Sequence, residues 1–384
     1  MTAKYGVLLV GGKRTHQESY GRAFASDPRC SIVGVTDESD VPLYRDSLNR
    51  MLAYELGVLY IADLDEALSR NDVDIVSICA DVERRGRVVT KCALSGKHLY
   101  LDKPLACTME DAEAIAGAVE QAGVRSQMFS FVTSHWAQAA RCAVQGGEVG
   151  HVVSVHSDML QAKGVPGTVE EGFARRERED IQRYTFPDAK AELFDMGVYS
   201  VGLVLWLTGM RARSVAGITG NYFFKEHQAR DVEDFGALVL TLENGTVATA
   251  TGGRIGWTSY PLGGLSRIVL MGSEGMYEFS DSQPRLEVYD TSEGFSLPKA
   301  HPADPMGFWR STQQEMGLSP MRRWVPLRSS LSQQEVDVRS FLDCLDRDVE
   351  PEMNARSTVH QVEVVLAGYA SAARGKPVEL PQVA

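Results

Sequence analysis

The residues best suited to chemistry are a lysine after an apolar segment and a carboxylate–phenol pair further along the chain. Lys103 follows residues 99–101, a short apolar run typical of a buried strand. Asp195 and Tyr199 are four residues apart, which places them on one face of a predicted helix over residues 194–207. An ammonium, a carboxylate and a phenol together can bind a hydroxyl group and move its proton. Lys103, Asp195 and Tyr199 are therefore the candidate catalytic residues.

The neighbours of Lys103 support this interpretation. Asp102 supplies a counter-charge, and Pro104 fixes the backbone and permits a cis peptide bond. An ammonium beside Tyr199 would lower the pKa of the phenol from about 10, which predicts a Lys103–Tyr199 proton relay. The alternatives are a surface lysine in a turn and a packing tyrosine, with Asp195 as the cap of its helix.

A glycine pair ends the first predicted strand. Gly11 and Gly12 follow the apolar residues 5–10, and Thr15 and His16 lie where the next helix begins. Glycines let a backbone approach a pyrophosphate closely, and the N–H groups of a helix N-terminus can bind it. These four residues are predicted to bind a dinucleotide cofactor. The G-x-G-x-x-G pattern is not intact, so an ordinary strand–helix turn is the alternative.

The residue that closes the second predicted strand bears on the choice of cofactor. Asp37 stands where an acid can accept hydrogen bonds from the ribose hydroxyls of NAD and repel the 2′-phosphate of NADP. Glu38 adds to that preference, whereas Lys13 and Arg14 could hold a 2′-phosphate. The balance favours NAD over NADP, and a turn aspartate is the alternative for Asp37.

The pattern of elements divides the chain in two. Up to residue 127, short apolar strands alternate with helices, which predicts a Rossmann-like, doubly wound parallel sheet that binds a dinucleotide. Residues 128–384 contain period-two segments and a turn at 243–245, which predict an α+β domain with a large open, mostly antiparallel sheet for substrate binding and oligomerisation. The last helix is expected to pack back on the first domain. The predicted strands are 5–10, 31–36, 75–79, 99–101, 152–158, 213–219, 236–243, 246–253, 268–270, 276–279 and 286–289.

Composition excludes several classes of function. The net charge is -12 with acids and bases mixed, which argues against a nucleic-acid or acidic-membrane partner. The six cysteines lack C-x-x-C spacing, so we expect reduced thiols and no metal site. The N-terminal sequence has no signal-peptide pattern, and the longest apolar run is too short to span a membrane. A cytoplasmic protein is expected.

Several short motifs follow one another in a fixed order through the chain. They are residues 96–105 (GKHLYLDKPL), 195–199 (DMGVY), 232–235 (VEDF), 243–245 (ENG), 271–275 (MGSEG) and 368–378 (GYASAARGKPV). Together they resemble the motifs of the glucose–fructose oxidoreductase/inositol dehydrogenase/MocA (Gfo/Idh/MocA) family, essentially from end to end.

This resemblance implies an NAD(P)-dependent oxidoreductase that transfers a hydride between nicotinamide and a secondary alcohol or ketone of a sugar, inositol or related polyol. It assigns proton transfer to Tyr199, where relatives commonly carry His, orientation and charge to Lys103, and substrate hydroxyl binding to Asp195. Ala80, Asp102 and Lys103 are implied to lie against the cofactor. A homodimer or homotetramer built on the open sheet is also implied.

Three segments depart from the family pattern, namely the glycine loop, residues 80–85 (ADVERR) and residues 131–136 (FVTSHW). His135, Trp136 and His156 are candidates to line the substrate pocket, with Trp136 stacking on a sugar face. A partly buried structural role is the alternative for each. Two other functions stay open, an NAD-assisted elimination of a glycoside with no net redox change and a non-catalytic binding or regulatory protein that retains the fold.

Overall fold

The first part of the chain forms a parallel sheet because its short strands are apolar on both faces. The computed structural model describes residues 4–165, 167–172, 177–179, 181, 189–256, 264–280, 285–290, 301–306, 321–326 and 331–381. The strands of this sheet are β1 (Tyr5–Val10), β2 (Cys30–Thr36), β3 (Leu59–Ile61), β4 (Ile75–Ile78), β5 (His98–Leu101) and β6 (Ser126–Met128). Their order is β3-β2-β1-β4-β5-β6, and every neighbouring pair is parallel. The doubly wound sheet is confirmed.

Helices connect these strands and cover the sheet. They are α1 (Gln17–Ser26), α2 (Leu43–Leu56), α3 (Leu64–Leu68), α4 (Val82–Leu94) and α5 (Met109–Ala122). Because neighbouring strands are parallel, the carboxyl ends of β1, β4 and β5 lie together at one edge of the sheet. In open α/β sheets that edge is where ligands bind.

A second, larger sheet follows. Its strands in the described residues are β7 (Val152–Gln161), β8 (Ala212–Gly220), β9 (Phe235–Leu242), β10 (Val247–Arg254), β11 (Gly264–Gly272), β12 (Gly275–Ser280), β13 (Arg285–Asp290), β14 (Met321–Pro326) and β15 (Val378–Glu379). The order is β14-β13-β12-β11-β7-β10-β9-β8-β15. The β7–β10 pair is parallel and the other recorded pairs are antiparallel. This is the mostly antiparallel sheet that the period-two segments predicted.

The remaining helices of the described residues pack on the second sheet, on one another or against the first part of the chain. They are α6 (His135–Gln145), α7 (Glu192–Asp195), α8 (Gly197–Thr208), α9 (Lys225–Ala229), α10 (Gln333–Arg347) and α11 (Ala355–Arg374). Asp337 of α10 accepts hydrogen bonds from Tyr100 Oη at 2.7 Å and Gln127 Nε2 at 2.9 Å. Burial raises the pKa of Asp337 to about 6, although these hydrogen bonds act to lower it. The C-terminal part of the chain is thereby joined to the first sheet.

The predicted helix over residues 194–207 is wrong in one respect, because the structure contains two helices with a break at Met196. A Cβ atom on Gly252 of β10 would lie 2.1 Å from the Gly197 nitrogen, so the strand backbone packs directly against this break. None of the described helices is both long and apolar enough to cross a bilayer. The described residues also contain no cluster of His, Cys, Asp and Glu that could hold a metal ion.

Candidate active site

A cavity of about 770 Å³ opens between the carboxyl edge of the parallel sheet and helices α7 and α8. Its volume lies in the range of small-molecule sites, roughly 300–1,000 Å³. The described lining residues that matter for chemistry come from both domains and are Thr15, His16, Ala80, Asp102, Lys103, Glu192, Asp195, Tyr199, His227 and Arg254. All three candidate catalytic residues therefore face one space.

Lys103 and Asp195 form a buried ion pair at the centre of this cavity. Lys103 Nζ donates to Asp195 Oδ1 at 2.6 Å and to the Asp195 backbone oxygen at 2.7 Å. The two side chains are only 2% and 6% exposed. An ammonium has three N–H donors, and the recorded hydrogen bonds of Lys103 to described residues use two of them. The peptide bond before Pro104 is cis, as the sequence permitted.

The surrounding charges set the protonation of this pair. Burial lowers the pKa of Lys103, although Asp195 opposes that shift. Burial alone would raise the pKa of Asp195, but the cations of Lys103, Lys190 and Arg254 hold it well below its usual value. The lowered pKa of Asp195 favours its carboxylate, which holds Lys103 in place, and burial makes the Lys103 ammonium easier to deprotonate than an exposed one.

Tyr199 lies beside Lys103, but the predicted effect of the lysine on its pKa is wrong. Lys103 Nζ lies 5.0 Å from the centre of the Tyr199 ring, over its face, while Asp195 takes two of its hydrogen bonds. The ring also packs edge-on against Phe131, with ring centres 4.8 Å apart. Burial and the carboxylates of Asp102 and Asp195 raise the pKa of Tyr199 well above its usual value. The raised pKa favours the neutral phenol of Tyr199 over the phenolate.

The glycine loop makes a tight turn into α1. Gly11 has φ +95°, a conformation that favours glycine, and a Cβ atom on Gly12 would lie 2.5 Å from the backbone of Asn49. Thr15 Oγ1 donates to the Gly12 oxygen at 2.7 Å. The backbone N–H groups of Thr15 and His16 donate to no acceptor among the described residues. These donors, at the start of a helix, fit an anionic group such as a pyrophosphate.

Asp102 closes the other side of this loop. Its Oδ1 lies 2.8 Å from His16 Nδ1 and accepts a hydrogen bond from Tyr20 Oη at 2.9 Å. Burial would raise the pKa of Asp102, but His16, Arg85 and Lys103 together lower it below its usual value. The structure thus brings His16, Asp102 and Lys103 together, as expected for residues around one cofactor.

The Asp37 carboxylate is covered by other side chains, whereas the sequence interpretation took it to be open to the ribose hydroxyls. Its side chain is fully buried, and both carboxylate oxygens accept hydrogen bonds from Arg84. Asn49 Nδ2 donates to the same carboxylate at 3.0 Å. Asp37 and the two glycines are also absent from the described lining of the cavity.

The three proposed substrate residues lie elsewhere, which is a second correction. His135 is exposed at the first position of α6. Trp136 stacks on Phe279 with ring centres 3.6 Å apart, because α6 packs on the second sheet there. His156 projects from the open face of that sheet, where its Nδ1 lies 2.8 Å from Thr249 Oγ1. None of the three is in the described lining of the cavity.

A second group of polar residues was missed from the sequence. Glu192 Oε1 lies 3.2 Å from His227 Nε2 and accepts a hydrogen bond from Arg254 Nε at 3.0 Å. Arg254 also reaches Asp195 Oδ2 at 3.3 Å, which links this group to Lys103. Glu192 Oε2 and His227 Nδ1 are buried and have no hydrogen-bond partner among the described residues.

The sequence carried a weak signal for part of this group. Glu192 stands one helical turn before Asp195, and Arg254 ends a strand whose alternation was recognised. His227 had no such signal, because its position depends on Asp234. The Asp234 carboxylate accepts hydrogen bonds from the backbone N–H groups of residues 222–224. We call Glu192, His227 and Arg254 the outer polar group.

Arg85 clamps the loops that carry the site. It is 4% exposed, and its guanidinium donates to the backbone oxygens of Ala80, Asp102 and Pro104.

Replacing Arg85 by Met is expected to lower the free energy of unfolding by about 2–4 kcal/mol, because three buried carbonyl groups lose a charged donor. Urea unfolding measures this loss. The control is Arg87→Met, since that side chain is 59% exposed, and an equal effect of both substitutions would contradict the clamp.

Two family models match the chain, one after the other. A model described as an oxidoreductase family with an NAD-binding Rossmann fold matches residues 5–130. The model of the GFO/IDH/MocA C-terminal domain matches residues 137–278. The chain belongs to the Gfo/Idh/MocA oxidoreductase family. The resemblance drawn from the motifs is confirmed, and with it a nicotinamide-dinucleotide-binding Rossmann domain.

Individual Gfo/Idh/MocA proteins and oxidoreductase structures agree with this assignment. The D-apiose dehydrogenase of Paraburkholderia graminis is 25% identical over 323 residues, which are 83% of this chain and 76% of that protein. An aldose–aldose oxidoreductase of Caulobacter crescentus, solved with glycerol, superimposes with a TM-score of 0.71 at 18% identity, covering 98% of this chain and 100% of the other. An oxidoreductase of Agrobacterium radiobacter, solved with NAD+, L-tartaric acid and magnesium, gives a TM-score of 0.72 at 16% identity, covering 98% of each chain. At these identities the structures show the shared fold.

Proposed function

We propose that this protein catalyses NAD(P)-dependent oxidation or reduction at a secondary alcohol or ketone carbon of a sugar, inositol or related polyol. The observation that carries the proposal is the buried Lys103–Asp195 pair at the carboxyl edge of a dinucleotide-binding sheet, where the recorded hydrogen bonds of Lys103 use two of its three N–H donors. When bound, the nicotinamide ring supplies the hydride acceptor or donor. The residues of the chain bind, orient and exchange the proton.

Lys103 is proposed to exchange that proton. As a neutral amine it accepts the proton of a substrate hydroxyl, and as an ammonium it donates one to a ketone oxygen. Its lowered pKa makes both forms accessible, whereas the raised pKa of Tyr199 disfavours the phenolate. Tyr199 then hydrogen-bonds the substrate oxygen, and Asp195 positions Lys103. This replaces the sequence-based assignment of proton transfer to Tyr199.

Residues around the parallel sheet are proposed to hold the cofactor. The N–H groups of Thr15 and His16 fit the pyrophosphate, and Gly11 and Gly12 allow its close approach. Ala80, Asp102 and Lys103 line the part of the cavity nearest the strand ends.

The outer polar group supports a hydroxyl-rich substrate. An unpaired buried carboxylate oxygen or imidazole nitrogen is costly unless a ligand completes its hydrogen bonds. Glu192 Oε2 accepts a hydrogen bond, and a hydroxyl group is a suitable donor to it and a suitable partner for His227 Nδ1. The apiose dehydrogenase among the relatives agrees with this class of substrate.

A panel of sugars, inositols and linear polyols tests the proposed function. Each is incubated with the protein and NAD+ or NADP+, and the absorbance of the reduced nicotinamide is followed. Sustained reduction with at least one member is expected. Cofactor that stays oxidised with every member, while an aglycone is released from glycosides, would instead indicate elimination without net redox change.

Replacing Glu192 by Gln is expected to raise KM for the best substrate of that panel about tenfold, because one charge-assisted hydrogen bond to a hydroxyl is lost. The value of kcat and the affinity for NADH are expected to change little. Steady-state kinetics and a fluorescence titration with NADH measure these quantities. Glu243→Gln, at the exposed hairpin turn, is the control. An unchanged KM in Glu192→Gln would remove the outer polar group from the substrate site.

The open face of the second sheet is proposed to pair with a second copy of the chain. Ile218, Val239 and Val247 project from this face on adjacent strands and are 67%, 48% and 45% exposed. Exposed apolar side chains on adjacent strands of an open sheet are typical of an interface between subunits. Light scattering of the purified protein shows whether a dimer or a tetramer forms.

A further inference from the structure

The end of β2 presents a guanidinium group where a nucleotide-binding acid was expected. Arg84 Nη1 lies 2.5 Å from Asp37 Oδ1, and Arg84 Nη2 lies 3.0 Å from Asp37 Oδ2. The side chain of Asp37 is 0% exposed and that of Arg84 is 11% exposed. The remaining acceptor capacity of the carboxylate is used by Asn49 Nδ2 and by the Glu38 backbone N–H. A ribose hydroxyl cannot reach Asp37 while Arg84 holds this position.

Further contacts fix Arg84 in place. Its Nε donates to Asp81 Oδ2 at 3.3 Å, and its Nη1 reaches Glu38 Oε2 at 3.1 Å. Glu38 is held from its other side by Arg87, through Nε at 2.8 Å and Nη2 at 2.9 Å. Burial opposes the ionised forms, but these pairings raise the pKa of Arg84 and lower the pKa of Glu38. Both shifts favour the ionised forms of Arg84 and Glu38.

The cluster has no excess of negative charge. The carboxylates of Asp37, Glu38 and Asp81 are matched by three guanidinium groups, since Arg45 also lies 3.3 Å from Asp81. An acid at the end of the second strand selects against NADP because an uncovered carboxylate repels the 2′-phosphate. That repulsion requires an excess of negative charge facing the ribose, which the cluster does not provide.

We propose that Arg84 cancels the selection against a 2′-phosphate, so that this protein binds NADP(H) as well as NAD(H). The inference rests on the proposed function in one respect, namely that the parallel sheet holds a nicotinamide dinucleotide. It makes Arg84 a specificity-determining residue, in a segment where the sequence departs from the family pattern. Arg84 pairs with Asp37 and is not in the described lining of the cavity that contains Lys103.

Binding, measured without turnover, tests this inference. The intact protein is titrated with NADH and NADPH by fluorescence, and with adenosine 5′-monophosphate and adenosine 2′,5′-bisphosphate by calorimetry. For the wild type, affinities for NADH and NADPH within about tenfold of each other are expected, as are comparable affinities for the two adenosine fragments, because the cluster is neutral.

The variant Arg84→Met uncovers Asp37. Its affinity for NADPH is expected to fall at least about thirtyfold, while its affinity for NADH changes less than about threefold, because an unpaired carboxylate then faces the phosphate. Arg22→Met removes the same charge from an exposed position in the same domain, with its side chain 62% exposed, and is expected to alter neither affinity.

A double variant tests the inference if Arg84→Met fails to fold because Asp37 has lost its partner. Asp37→Asn combined with Arg84→Met keeps the site neutral, and its ratio of NADPH to NADH affinity is expected to stay within about tenfold of the wild type. Binding of NADH at least about a hundredfold tighter than NADPH by the wild type would overturn the inference and leave the proposed function standing. A double variant that rejects NADPH would likewise overturn it. Binding of neither dinucleotide would overturn the proposed function itself.

Discussion

Replacing Lys103 by Met is expected to lower kcat about a thousandfold, the size of a lost general acid–base contribution, while the fold is retained. Lys103 is a buried amine that lines the cavity and donates two hydrogen bonds to Asp195. The fold should survive because Asp195 keeps cationic neighbours in Lys190 and Arg254. Turnover of the best polyol substrate and far-UV circular dichroism measure the two effects.

The matched control is Lys97→Met in the same motif. Lys97 Nζ donates to the backbone oxygens of Arg70 and Val73 and is not part of the described lining of the cavity. It is expected to keep nearly full kcat. Normal turnover by Lys103→Met would remove Lys103 from the proton transfer, and an equal loss in both variants would point to a structural effect.

The second large effect concerns the pH dependence of turnover and the role of Tyr199. Oxidation needs Lys103 as a neutral amine, so kcat for oxidation is expected to rise with pH and level off below the usual lysine pKa of 10.5, because burial lowers this pKa. Reduction needs the ammonium, so kcat in that direction is expected to fall over the same pH range. Rates measured in both directions on one substrate pair give the two profiles.

Tyr199→Phe separates the phenol from the lysine. Because the raised pKa keeps Tyr199 neutral, the variant is expected to lose a hydrogen bond to the substrate oxygen and about tenfold to a hundredfold in kcat. Its pH profile is expected to keep the inflection of the wild type. A profile that becomes flat in Tyr199→Phe would return the proton transfer to Tyr199, as the sequence alone suggested.

Local patterns were sufficient to predict the strands that carry the site. Buried parallel strands are short apolar runs, and β1 was predicted with the bounds Tyr5–Val10 that the structure has. The position of Lys103 follows from the same rule, because it stands directly after such a run. By contrast, α2 was missed, since Arg45 and Asn49 are buried within it and blur its apolar face.

Features that depend on distant partners could not be read from the sequence. Asp37 and Arg84 are separated by 47 positions, and only the folded structure shows that the guanidinium of Arg84 covers the carboxylate of Asp37. The sign of the Tyr199 pKa shift depends on burial and on the carboxylates of Asp102 and Asp195, which only the folded structure brings together. Trp136 and His156 have side chains suited to a sugar site, but packing directs Trp136 onto Phe279 and strand alternation directs His156 to the open face.

The central claim is that a hydride passes from a secondary carbinol carbon to the nicotinamide in the cavity between the two sheets, with Lys103 as the proton acceptor. The most direct test is a single turnover with the best polyol substrate carrying deuterium at each secondary carbinol carbon in turn, followed by mass measurement of the nicotinamide. One labelled position is expected to add one deuterium to the reduced cofactor with the wild type, and Lys103→Met should give no labelled cofactor in the same time. Full reduction without deuterium from any labelled position, or equal labelling by Lys103→Met, would contradict the claim.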